Sequence, residues 1–171
     1  IMTLLLVMEA IDNGNINLED TLQASDYAAS MGGSQVFIEP NEKMTVEDLL
    51  KSVIVVSAND ATVALGEHIC GSEAAFISAM NERARELGCE NSNFVNTNGL
   101  PVENHYSCAY DIALITRELM KHELIKEYTT IWMDSLRDGK FQLSNTNKLI
   151  RYVYKGRYCT DRTERFFSAD C

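Results

Sequence analysis

The chain has 171 residues, 46% of them hydrophobic, with 15 Lys plus Arg against 25 Asp plus Glu and a formal charge of -10. That length and apolar content suffice for one ordinary domain with its own core, and the net negative charge repels phosphate backbones, which excludes nucleic acid as an expected partner. The strongest apolar run, Ile1 to Ile11, is interrupted by Thr3 and Glu9 and is shorter than the about 18 residues that a bilayer span needs. With no basic residues ahead of it and no small-residue cleavage pattern after it, the run does not read as a signal peptide. It reads as a buried helix whose capped start is expected to lie upstream of Ile1.

Farther along, Thr45-Val46-Glu47-Asp48 has the form of a capping box, with Met44 and Leu49 placed as its hydrophobic staple. Leu49, Leu50, Val53, Ile54 and Val56 surround most of the helix that follows, as in an interior element, and it should end near Ser57. A second helix is predicted from Asn59 or Asp60 to Cys70, closed by Gly71. Ser72 can cap a third, with Phe76, Met80, Ala84 and Leu87 at helical spacing before Gly88. Residues 91 to 101, rich in Asn and containing Asn98-Gly99 and Pro101, form a loop. Ser107 can cap a fourth helix through Ile112, Ile115, Leu119 and Met120, with Lys121 and His122 at its negative end. Residues 21 to 44 differ: Val36 and Ile38 alternate with other groups before Pro40, which predicts a short strand or extended loop.

Other chemistry-bearing residues have plain structural readings. The cysteines Cys70, Cys89, Cys108, Cys159 and Cys171 are spaced for neither a zinc site nor a recognisable disulfide framework, and Cys70 reads as a small buried side chain. His68, His105 and His122 form no His-Glu-x-x-His pattern, so metal catalysis is not expected. Asp60 and Glu67 resemble an acid pair, but a carboxylate in a first helical turn is explained by the helix dipole. Most of the methionines read as core filler.

At one junction between apolar helices the chain reads Val55-Val56-Ser57-Ala58-Asn59-Asp60-Ala61. On spacing alone, Asn59 is more simply a helix cap than a functional residue. The surroundings change that reading. Ile1-Met2-Thr3, Gly33-Ser34-Gln35-Val36-Phe37, Glu42 to Leu50, Ser57 to Ala61, Phe94 to Pro101 and Ser144-Asn145-Thr146-Asn147-Lys148-Leu149 together resemble, in order and spacing, the low-molecular-mass penicillin-binding D-alanyl-D-alanine carboxypeptidases, serine peptidase family S11. The likeness runs over residues 1–150, a partial catalytic domain, and leaves 151–171 as a divergent tail.

This resemblance implies an α/β fold of the β-lactamase/transpeptidase type, of which the chain covers mainly the helical subdomain, with strands entered near Gln142. Three motifs mark the superfamily: Ser-x-x-Lys, a Ser-x-Asn element and Lys-Thr-Gly. Ser57 and Asn59 are the second, Ser57 as a catalytic residue bonded to the catalytic lysines and Asn59 as the substrate-binding amide. The Lys of the first motif is expected immediately before Ile1, with the nucleophilic serine three positions earlier. Ser25, Ser30, Ser34 and Ser135 lack the Ser-x-x-Lys spacing, and Lys155-Gly156 lacks the intervening Thr. His105, beside Tyr106, matches a His-Tyr pair of the family and is expected to be structural.

The implied activity is acyl-enzyme trimming of peptidoglycan stem peptides outside the cytoplasmic membrane. β-Lactams would inhibit the full enzyme covalently. No metal or organic cofactor is implied, and membrane association would come only through segments absent here. A serine β-lactamase-like hydrolase and a catalytically dead module binding cell-wall peptide or a partner protein are the alternatives.

Overall fold

The computed structural model describes residues 1–150. In chain order these form α1 (Met2–Asp12), β1 (Thr21–Gln23), α2 (Asp26–Ala29), β2 (Lys43–Thr45), α3 (Val46–Val56), α4 (Asn59–Cys70), α5 (Glu73–Glu86), α6 (Ala109–Leu119), α7 (Glu123–Thr129), β3 (Met133–Leu136) and β4 (Phe141–Ser144). β1 pairs antiparallel with β2, Leu22 opposite Met44, and β3 pairs antiparallel with β4, Ser135 opposite Gln142. Expectations for residues 151–171 lie outside the described residues. Among the described residues no helix is long and apolar enough to cross a membrane.

α4 is the centre of the bundle. Every residue from Asn59 to Gly66 is buried, and α1, α2, α3 and α5 all pack on this helix. Small side chains allow that approach. A Cβ added to Gly66 would lie 3.1 Å from the Phe76 ring, so the glycine lets α5 seat a fully buried aromatic directly on the α4 backbone. Local signals account for the helix ends: the Thr45 hydroxyl accepts from the Asp48 amide at the start of α3, the Ser72 hydroxyl accepts from the Ala75 amide at the start of α5, and Gly71 closes α4 with φ +79.

Three local expectations change. α6 is capped by Cys108, not Ser107: Cys108 is extended and its Sγ accepts from the Asp111 amide. The Ser107 hydroxyl instead pairs with Ser92 at 2.7 Å. Lys121 and His122 do lie at the end of α6, their amides donating to Glu118 O at 3.0 Å and Leu119 O at 3.2 Å. Lys121 pairs with Glu118, while His122 starts the unanticipated α7 and bonds Asp12. Strands are entered at Met133, ahead of Gln142, which lies inside β4. The methionines mostly fill the core as expected: Met2, Met8, Met44 and Met80 are buried, while Met133 is exposed. Cys70 is half-buried rather than buried, and burial pushes its thiol and that of Cys89 up.

The β3–β4 hairpin is tied to the body by an ion pair, Arg137 Nε to Glu42 Oε1 at 2.6 Å. Arg137 holds the Glu42 carboxyl below its ordinary 4.5. Since the folded-state value is depressed, the pair's stabilisation is fully present above pH 4.5 and is lost as pH falls through the lowered value. Carboxyl NMR titration should place Glu42 below 4.5, and Arg137→Ala should move it back up. Phe76→Ala should destabilise the fold by about 3–5 kcal/mol, read as a lower urea midpoint at unchanged slope.

Candidate active site

Ser57 terminates α3 in a conformation its side chain disfavours. Its φ is +57 and ψ is 43, the left-handed region, which costs a non-glycine residue about 1–2 kcal/mol. Glycine usually occupies such a helix-ending position. A serine there keeps a hydroxyl exposed at the junction, and strain of this kind clusters at functional sites. The backbone is secured on either side, Ser57 N–H donating to Val53 O at 3.1 Å and Ala58 N–H to Ser52 O at 3.2 Å.

Asn59 is not the helix cap. Ala58 holds that position without a side-chain bond, and Asn59 is the first residue of α4, only 6% exposed. Its Nδ2 donates to Gly32 O at 2.7 Å and its backbone N–H to Ser34 O at 2.7 Å. A Cβ on Gly33, whose φ is +82, would stand 2.7 Å from Asn59 Nδ2. Gly33 is therefore required twice, for its backbone angle and for its bare Cα.

Asp60 has a role that the sequence did not reveal. Wholly buried, its carboxylate accepts from the N–H groups of Val36 (3.1 and 3.2 Å), Ile38 (3.1 Å) and its own neighbour Ala61 (2.9 Å). Of the two forms expected for Val36 to Ile38, strand or loop, the structure takes the loop: Phe37 has a φ of +55, and the amides on either side of it are bonded to a carboxylate instead of a neighbouring strand. Asp60 and Glu67 do not form an acid pair; Glu67 accepts from the Ser25 hydroxyl at 2.7 Å, joining α2 to α4.

Distant segments converge here. Thr146 N–H donates to Val55 O at 3.0 Å, seating the Asn145-Thr146-Asn147 stretch against the end of α3 beside Ser57. Asn145, 3% exposed, braces that stretch by donating to Ile131 O at 2.6 Å and accepting from the Asn147 amide at 2.8 Å. At the other side the Thr3 hydroxyl donates to Thr97 O at 2.6 Å, and Asn98 Nδ2 reaches Met31 Sδ at 3.8 Å. A small cavity of about 80 Å³ lies between Ile1, Met2, Thr3 and residues 96 to 99. His105 is structural: its Nδ1 accepts from the Val95 amide at 3.1 Å, its ring stands edge-on to Phe94, and burial lowers its pKa toward the neutral form that can accept. Among the described residues no cluster of His, Cys, Asp and Glu could hold a metal.

Known proteins resemble this chain in sequence and in fold. Residues 1–158 match the sequence profile of the D-alanyl-D-alanine carboxypeptidases, Peptidase_S11. The D-alanyl-D-alanine carboxypeptidase DacF of Bacillus subtilis is 51% identical over 155 residues, covering 89% of this chain and 40% of the relative. DacC of Escherichia coli is 33% identical over 156 residues, 88% of this chain and 39% of the relative. Penicillin binding protein 5 of Haemophilus influenzae superposes with a TM-score of 0.81 at 33% identity, over 87% of this chain and 44% of its own. Penicillin-binding protein D2 of Listeria monocytogenes, solved with ampicillin bound, gives 0.75 at 28% identity, over 88% and 61%.

The fold is thus of the β-lactamase/transpeptidase class, seen here as its helical part with small sheets. The chain belongs to the D-alanyl-D-alanine carboxypeptidase family S11, and it spans about 40% of the length of the curated relatives DacF and DacC.

Asp60→Ala removes the acceptor for the buried amides of Val36 and Ile38, and stability should fall by about 2–4 kcal/mol. Chemical denaturation checks the size, and amide exchange at Val36 and Ile38 should rise more than exchange in α5.

Proposed function

We propose that this chain is part of a serine-type D-Ala-D-Ala carboxypeptidase that trims peptidoglycan stem peptides in the cell envelope, with Ser57 and Asn59 in its active site. The observation that carries the reading is the junction itself. An exposed serine is held in a strained backbone next to a buried Asn amide, where the matched segments of the chain meet. Family membership and the names of the relatives support the same activity.

In the proposed reaction a serine outside residues 1–150, part of a Ser-x-x-Lys element, attacks the penultimate carbonyl and forms an acyl-enzyme, and water then releases the trimmed peptide. Ser57 relays a proton toward the leaving D-alanine. Asn59 holds the peptide carbonyl and orients it for attack. A Lys-Thr-Gly element, also outside residues 1–150, completes the site. β-Lactams would acylate the same serine, as the ampicillin-bound relative suggests.

The test uses the full-length enzyme with a fluorescent penicillin and a peptide ending in D-Ala-D-Ala. Wild type should carry a covalent label and release D-alanine, and Ser57→Ala and Asn59→Ala should each slow release by about 100-fold or more. Rapid loss of the label without D-alanine release would point to a β-lactamase. Neither label nor release would leave a binding module.

A further inference from the structure

The tip of the β3–β4 hairpin reaches the segment that holds Asn59. Arg137 and Asp138 follow β3 with φ of +54 and +55, consecutive left-handed positions that normally favour Asn or Gly. Arg137 uses its whole fork from there. Nε and Nη2 bind the two Glu42 oxygens at 2.6 and 3.0 Å, Nη1 donates to Val36 O at 2.9 Å and Nη2 to Phe37 O at 3.1 Å. The guanidinium also lies 5.6 Å from the centre of the Phe141 ring, which meets Phe37 edge-on at 6.2 Å.

Residues 36 to 38 are consequently gripped along both edges. Buried Asp60 takes the amides of Val36 and Ile38, and Arg137 takes the carbonyls of Val36 and Phe37. The pairing with Glu42, with Asp60 and Glu39 adding their charge, raises the Arg137 pKa, so the cation stays bound on its face of the segment. The same segment continues back to Gly32 and Ser34, whose carbonyls receive the Asn59 side chain and amide. Asn59 Nδ2 stands 2.7 Å from where a Gly33 Cβ would be, so a displaced loop displaces Asn59.

We infer that Arg137 is a positioning residue for Asn59: by clamping residues 36 to 42 against Asp60, it keeps the carbonyls of Gly32 and Ser34 where they set the Asn59 side chain. The catalytic consequence rests on the proposed role of Asn59. The clamp does not. Lysine cannot replace it in full, because an ammonium lacks the planar fork that serves a carboxylate and two carbonyls at once.

The experiment compares wild type, Arg137→Ala and Arg137→Lys in the full-length enzyme, following amide exchange at Val36, Ile38 and Asn59 together with kcat and KM for D-alanine release. Arg137→Ala should speed exchange at those amides by about tenfold or more while amides of α5 stay unchanged. It should lower kcat about tenfold with a smaller change in KM, as expected when a carbonyl is misaligned rather than unbound. Arg137→Lys should recover part of both. Unchanged exchange at Asn59 in Arg137→Ala, or loosened exchange with unchanged kcat, overturns the inference. If wild type neither reacts with penicillin nor releases D-alanine, the proposed function fails, and the exchange measurements alone decide the clamp.

Discussion

A buried carboxylate at the start of the central helix is the constraint around which this end of the molecule is organised. Asp60 has no exposed surface, and an ionised group so placed is tolerated only when its oxygens are fully bonded. Three amides meet that need, two of them from a stretch of chain more than twenty residues earlier. The position in the first turn of α4 adds the favourable end of the helix dipole. The carboxylate thereby fixes residues 36 to 38 in space, and with them the carbonyls that meet Asn59.

That arrangement needs a rigid helix beneath it. α4 is buried through its first two turns, with alanines, a glycine and short polar side chains letting neighbours approach while Val63 and Leu65 fill the core, and the Thr62 hydroxyl returns to Ala58 O at 2.7 Å, so even this polar residue is satisfied internally. Close packing of this kind transmits position. It also supports the strained backbone of Ser57, since the turn between α3 and α4 is bounded by two helices that cannot relax away from each other. The Asn145-Thr146-Asn147 stretch closes the turn from a third side through the Val55 carbonyl.

Much of the helical framework was legible in the sequence. Thr45 and Ser72 are caps, Gly71 is a stop, and Phe76, Met80 and Ala84 face inward as their spacing predicts. The Asn-rich loop is a loop. The positions misread or left open share a cause. Ser107 carries a better capping side chain than Cys108, but its hydroxyl is engaged by Ser92, which in turn serves Asp111. Val36 and Ile38 alternate in a way that left strand and loop both open, and the structure takes the loop because the acceptor for their amides is a side chain. Asp60 looked like an ordinary first-turn carboxylate because only its partners distinguish it, and they are remote.

The sequence by itself determined where α3, α4 and α5 begin and end, which of their faces are apolar, and, through the ordered set of matching segments, the family. Those properties depend on caps, periodicity and turn residues acting within a few positions of one another. Only the tertiary structure decided which amides Asp60 holds, which carbonyls Arg137 holds, and that Asn59 answers to Gly32 and Ser34 rather than capping its own helix. Apart from the contact of Asp60 with its neighbour Ala61, such pairings join residues separated by 22 to 101 positions, and they exist because burial leaves each polar group only the partners that the fold brings near.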